Sequence, residues 1–165
     1  MVARGIAVLA ILAALGALFA AGAAFDLGPF APEELSRGEL IVRADQICEE
    51  ANRAFEDQQS KPPQTPDQAA ELTDHLVGIA EDESKQLAEL EHPAEVDAQL
   101  EAYLKARDRG IEILKQGHDA ADDGNADAYI QAQAELADTQ RERRKLARAI
   151  GFSQCSRPLP GVSGA

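Results

Sequence analysis

The chain has 165 residues with 29 acidic against 16 basic side chains, a formal charge of −13. Such a surface repels phosphate backbones, which excludes nucleic acid as a natural partner. Aromatic residues make up 4% of the chain and Trp is missing, so the interior must be built from Leu, Ile, Val and Ala, poor material for a deep aromatic ligand pocket.

Roughly one residue in five is Ala, and Glu, Gln, Leu and Arg are abundant, a composition that favours helices over strands. After Arg4 the run Gly5 to Phe25 carries no charge. As a helix it would extend about 31 Å, the thickness of a bilayer core, with Arg4 on the cytoplasmic side. The same run also reads as a secretory signal, with a basic start, an apolar stretch over Ile6 to Phe19 and small residues Ala21-Gly22-Ala23 for cleavage. Residues 1–25 are thus a signal peptide cleaved near Ala23 or a membrane anchor through residues 6–25. Both readings place the remainder outside the cytoplasm. No Cys lies near the boundary to accept a lipid.

Residues 26–35, with Gly28, Pro29 and Pro32, read as a tether. Ser36 followed by Glu39 forms a capping box, and Leu35 with Leu40 sits at staple spacing, so a first helix starts at about Arg37. Its apolar stripe is Leu40, Ile41, Ala44, Ile47, Cys48, Ala51, Ala54 and Phe55, and it stops before Lys61-Pro62-Pro63. Thr65-Pro66-Asp67-Gln68 opens a second helix with an N-cap and a proline at the first helical position. Its stripe is Ala69, Leu72, Leu76, Ile79, Ala80, Leu87 and Leu90. The chain breaks at Glu91-His92-Pro93. A third helix carries Val96, Leu100, Tyr103, Leu104, Ile111, Leu114 and Ala121.

Asp123-Gly124-Asn125 reads as a helix stop followed at once by the cap of a fourth helix. That helix presents Tyr129, Ile130, Gln133, Leu136, Ala137, Gln140, Ala147 and Ile150 and ends at Gly151-Phe152, where glycine can take the left-handed conformation. Residues 158–165 read as a disordered tail. Four helices with short connections and one apolar stripe each predict an all-α, up-down-up-down antiparallel four-helix bundle over residues 36–157, preceded by the N-terminal hydrophobic helix.

The run Ala44-Asp45-Gln46-Ile47-Cys48-Glu49-Glu50-Ala51-Asn52, with Gly151-Phe152-Ser153-Gln154-Cys155 near the end, resembles exported helical proteins and lipoproteins of actinobacteria over about Leu40 to Cys155. The resemblance implies a paired-Cys bundle outside the membrane and brings no site residues. Its lipoprotein members carry a lipid-accepting Cys that this chain lacks.

Two Cys in an exported chain favour a Cys48–Cys155 bond on their own account. The geometry is demanding. With helix ends level, the end of helix four lies roughly 20 Å below Cys48, whereas Gly151 to Cys155 reach only about 17 Å when extended. The bond requires either helices staggered lengthwise or an earlier end to helix four.

Candidate chemistry is sparse. Glu89 and His92 match the Glu-x-x-His spacing of di-iron bundles once, without the second copy such sites need. His118, Asp119, Asp122 and Asp123 form an oxygen-rich cluster that reads first as solvated and second as a weak site for a hard cation relieving the helix dipole, and His75 reads as a surface or boundary residue. No nucleophile elbow or phosphate-cradling glycine loop is present. No catalytic residue, metal ligand or cofactor is therefore assigned, and the expectation is a noncatalytic protein.

Polar residues on or beside the apolar stripes stand out: Asp45, Asn52, Arg107, Gln140 and Arg144. Buried charges persist only when paired and hydrogen-bonded. Asp45, Asn52, Arg107 and Arg144 read either as a polar layer fixing helix register or as a pocket for a small polar ligand or cation. Arg141, Arg143, Arg144, Lys145 and Arg148 form a basic end to helix four that suits its dipole. The leading expectation is an ectodomain that engages an unknown protein of the cell envelope or acts as a spacer. The alternative is a sensory or carrier ectodomain.

Overall fold

A computed structural model describes residues 35–158. The N-terminal hydrophobic segment, the tether up to residue 34 and the tail from residue 159 lie outside the described residues. Within them the chain is all-helical: α1 (Arg37–Gln58), α2 (Pro66–Ala88), a single 3-10 turn (Ala94–Val96), α3 (Asp97–Asp122) and α4 (Ala126–Ile150). The four helices pack against one another. α3 lies against both α2 and α4, and α1 against α2. No helix among the described residues is long and apolar enough to cross a membrane.

Each boundary has a local cause. Ser36 Oγ accepts from the Glu39 amide at 3.3 Å, and the Ser36 amide donates to Glu39 Oε2 at 2.9 Å, closing the capping box of α1. The Ser36 hydroxyl also donates to Glu39 Oε2 at 2.6 Å, and this bond, with the one from the Ser36 amide, holds the Glu39 carboxyl below its ordinary pKa. Thr65 Oγ1 accepts from the Gln68 amide at 3.2 Å, with Pro66 at the first position of α2. At the end of α3 the Asn125 amide donates to Ala120 O and the Gly124 amide to Ala121 O. This is a Schellman stop, with Gly124 at φ 65°. Asn125 then caps α4 by accepting from the Ala128 amide at 3.1 Å. One residue thus ends one helix and starts the next.

The interior contains two main apolar clusters. One gathers Leu40, Ala44 and Cys48 from early α1, Leu87 from late α2, Val96 from the 3-10 turn, Leu100 and Tyr103 from the start of α3, and Ala147, Ile150, Phe152 and Cys155 from the end of α4 and beyond. The other joins Phe55, Leu76, Ala80, Ile111, Ile113, Leu114, Ala132 and Leu136. A small third patch of Ala69, Ala70 and Ala121 packs beside Tyr129. The α4 stripe differs from expectation at Ile130, which is 66% exposed. The buried register is Ala132, Leu136, Thr139, Gln140, Arg143, Ala147 and Ile150, a three-four repeat that leaves position 130 to one side.

Cys48 and Cys155 form a disulfide with Cα atoms 5.0 Å apart. Lengthwise stagger supplies the reach. α4 ends where the sequence places its stop, but Gly151 lies beside Ile41, close enough that a Cβ there would sit 3.1 Å from Ile41 Cδ1. The end of α4 is therefore about one turn into α1, and the remaining climb from Ile41 to Cys48 is about 10 Å. Residues Phe152 to Cys155 cover that distance without being fully extended.

Candidate functional site

The polar residues on the helix stripes separate into two groups. Asp45 belongs to the first: Oδ2 accepts from the Ser153 amide at 3.1 Å and from Ser153 Oγ at 2.8 Å, and Oδ1 accepts from the Gln154 amide at 2.8 Å. Asn52 Nδ2 donates to Gln154 O at 3.1 Å. Both side chains therefore clasp the segment after α4 and align Cys155 with Cys48. Every hydrogen bond these two side chains make among the described residues goes to that segment.

The second group forms a polar layer between the two apolar clusters. Along α2, Glu83 falls between Ala80 and Leu87. Along α3, Arg107 falls between Tyr103 and Ile111. Along α4, Gln140 and Arg143 fall between Leu136 and Ala147. Arg107 and Glu83 form a two-point ion pair, with Nη1 to Oε1 at 2.8 Å and Nη2 to Oε2 at 2.6 Å. Both side chains are 3% exposed. Arg107 Nη2 also donates to Ala80 O at 3.3 Å. Burial works against the Arg107 charge, but the Glu83 carboxylate and the Tyr103 phenol oppose it, and the guanidinium pKa rises above its ordinary value.

Arg143 has no such arrangement. It is 7% exposed, and burial pushes its pKa down; Tyr103 and Glu83 oppose that shift while Arg107 and Arg144 add to it. Its Nε–H, the Nε–H of Arg107 and Oε1 of Gln140 have no hydrogen-bond partner among the described residues. All three residues line a cavity of about 40 Å³, partly open to solvent, whose apolar wall includes Phe55, Ile111, Leu114 and Leu136. All four helices contribute to it.

Of the residues singled out by sequence, Asp45 and Asn52 hold the C-terminal segment, Arg107 lies in the layer, and Arg144 is only half-buried on α4. The four do not converge. Arg143, one position earlier, is the buried residue. Sequence singles out Arg143 only as part of the basic end of helix four and does not single out Glu83, although each stands in a three-four register with its apolar neighbours.

The histidines are locally engaged. His92 Nδ1 faces Leu90 O at 2.8 Å and Nε2 faces Asp97 Oδ1 at 2.7 Å. His118 Nδ1 lies 3.3 Å from Asp119 Oδ1, and His75 Nδ1 lies 3.1 Å from Gln58 Oε1. Among the described residues, no three His, Cys, Asp or Glu side chains gather as a metal site would require. Compared with known proteins, the chain matches no protein family, no curated protein and no solved structure.

Proposed function

We propose that this chain is a noncatalytic protein of the cell envelope, a helical ectodomain that engages another protein or acts as a spacer outside the cytoplasm. The observation that carries the reading is the buried Cys48–Cys155 bond, because such bonds persist in oxidising compartments. The uncharged run Gly5 to Phe25 supports export, and the resemblance to exported actinobacterial helical proteins points the same way. The topology we infer is up-down-up-down. Short connections favour it, as does the meeting of the start of α1, the end of α2, the start of α3 and the end of α4 in one cluster. In this reading the membrane is contacted through residues 6–25 if they are retained.

A reporter active only outside the cytoplasm, fused after Cys155, tests the export reading. Activity is the expected result, and activity only of a cytoplasmic reporter would overturn it. The mass of the mature N-terminus separates the two modes of attachment, a chain beginning near Ala24 marking cleavage.

A second reading, a sensory or carrier ectodomain for a small polar ligand, is favoured by the unpartnered Arg143 Nε at the inter-helix cavity. Buried donors without partners are costly, and a ligand that satisfies one gains the energy otherwise lost.

A further inference from the structure

The polar layer holds an unequal number of charges. Glu83 is committed to Arg107 at two points, so the second buried guanidinium, Arg143, is left without a carboxylate of its own among the groups lining the cavity. Arg143 has no ion-pair partner among the described residues and its Nε–H is shut off from water, a setting in which an opposite charge gains by pairing. A cation would add to the excess. A neutral polar molecule would satisfy a donor but leave the charge.

We infer that the cavity between Arg107 and Arg143 is a binding site for a small monovalent anion of the carboxylate class. This rests on the ligand-binding reading and is independent of export. Arg107 and Arg143 both line the cavity and each carries a buried Nε–H without a partner among the described residues, which makes them the donors to the carboxylate oxygens in this proposal. The Gln140 amide, turned about its last torsion, presents its NH₂ to the same space. Phe55, Ile111, Leu114 and Leu136 supply apolar wall for the carbon end.

Size narrows the class. A cavity of about 40 Å³ has room for roughly three water-sized atoms, which fits formate and is too small to enclose a phosphate monoester or a whole sugar acid. A ligand of three heavy atoms binds no more tightly than about millimolar. The site therefore suits an abundant small carboxylate or the terminal carboxylate of a longer molecule reaching in from solvent.

The test melts the full-length protein, purified in nonionic detergent, with sodium formate or with its uncharged isostere formamide, the sulfonate salt sodium isethionate holding ionic strength constant. Formate raises the midpoint by about 4 °C or more at tenfold over its Kd. Formamide leaves it unmoved, and Arg143→Met abolishes the formate response. Gln140→Glu places a carboxylate beside Arg143 from within the chain; its midpoint rises without formate and no longer responds to it. This second variant decides the question if Arg143→Met does not fold. A formamide response as large as that of formate overturns the anion inference and leaves the ligand-binding reading standing. No response to either overturns both. A formate response that persists in the variants places the anion elsewhere and removes the site.

Discussion

Asp45 and Gln154 are 109 residues apart in sequence, yet the carboxylate of one accepts the backbone amide of the other at 2.8 Å. With Asn52 bonded to Gln154 O and Cys155 bonded to Cys48, α1 holds the segment after α4 through three side chains within two turns. Asp45→Ala should therefore destabilise the protein by about 1–3 kcal/mol, because the backbone and hydroxyl donors of that segment lose their acceptor. Opening the disulfide with paired Cys→Ala changes should cost about 2–5 kcal/mol. Since both devices hold the same segment, urea unfolding of single and combined variants should show a coupling of at least about 0.5 kcal/mol. Additive losses would show that clasp and disulfide act separately.

The ion pair in the interior predicts an asymmetry between breaking and replacing it. Glu83→Ala strands the Arg107 guanidinium beside the already unpaired Arg143 and should cost about 3–5 kcal/mol. Replacing Glu83, Arg107 and Arg143 together by Leu or Met should recover most of that loss or exceed wild-type stability. Chemical denaturation of the two variants provides the comparison, and equal destabilisation by both would contradict the uncompensated-charge account.

Glycine positions divide by backbone conformation. Gly78 is helical, and a methyl group in place of its hydrogen would meet nothing within 4 Å, so Gly78→Ala should stabilise by about 0.5–1 kcal/mol through helix propensity. Gly151 has φ 109° and Ile41 Cδ1 in the way. Gly151→Ala should instead cost at least about 1–2 kcal/mol. Thermal melting of the two variants should give shifts of opposite sign.

The cap of α1 predicts a dependence on pH. Ser36 holds the Glu39 carboxyl below its ordinary pKa in the folded chain, so the unfolded state binds the proton more readily. The stabilisation is present above the unfolded value and is lost as pH falls through the folded value. Glu39→Gln should remove this dependence. The stability difference between wild type and variant should shrink as pH is lowered from about 6 to about 3, across the carboxyl range. A difference constant with pH would show that the charge on Glu39 contributes nothing.

Sequence alone determined the helices and their ends, because those depend on residues within one or two turns of each other. Ser36 with Glu39, Thr65 with Pro66 and the Asp123-Gly124-Asn125 stop need no distant partner. The apolar stripes followed from periodicity, except where a weak repeat near the start of α4 admitted Ile130 to the wrong face. The Cys48–Cys155 pair was legible from cysteine number, but the lengthwise stagger that permits it was not, since it depends on how Gly151 seats beside Ile41.

The polar layer was decided by tertiary structure. Periodicity places Glu83 and Arg143 on inward faces, but whether a charged side chain stays inside depends on what another helix brings opposite it. Arg107 keeps Glu83 buried by meeting it at two points, and packing of all four helices leaves Arg143 at the cavity with a donor unmet. Asp45 and Asn52, which stand on the same kind of stripe, were drawn instead to the backbone beyond α4. Spacing within a helix is set by its own 3.6-residue turn; the partner a buried polar group finds is set by the neighbouring helices.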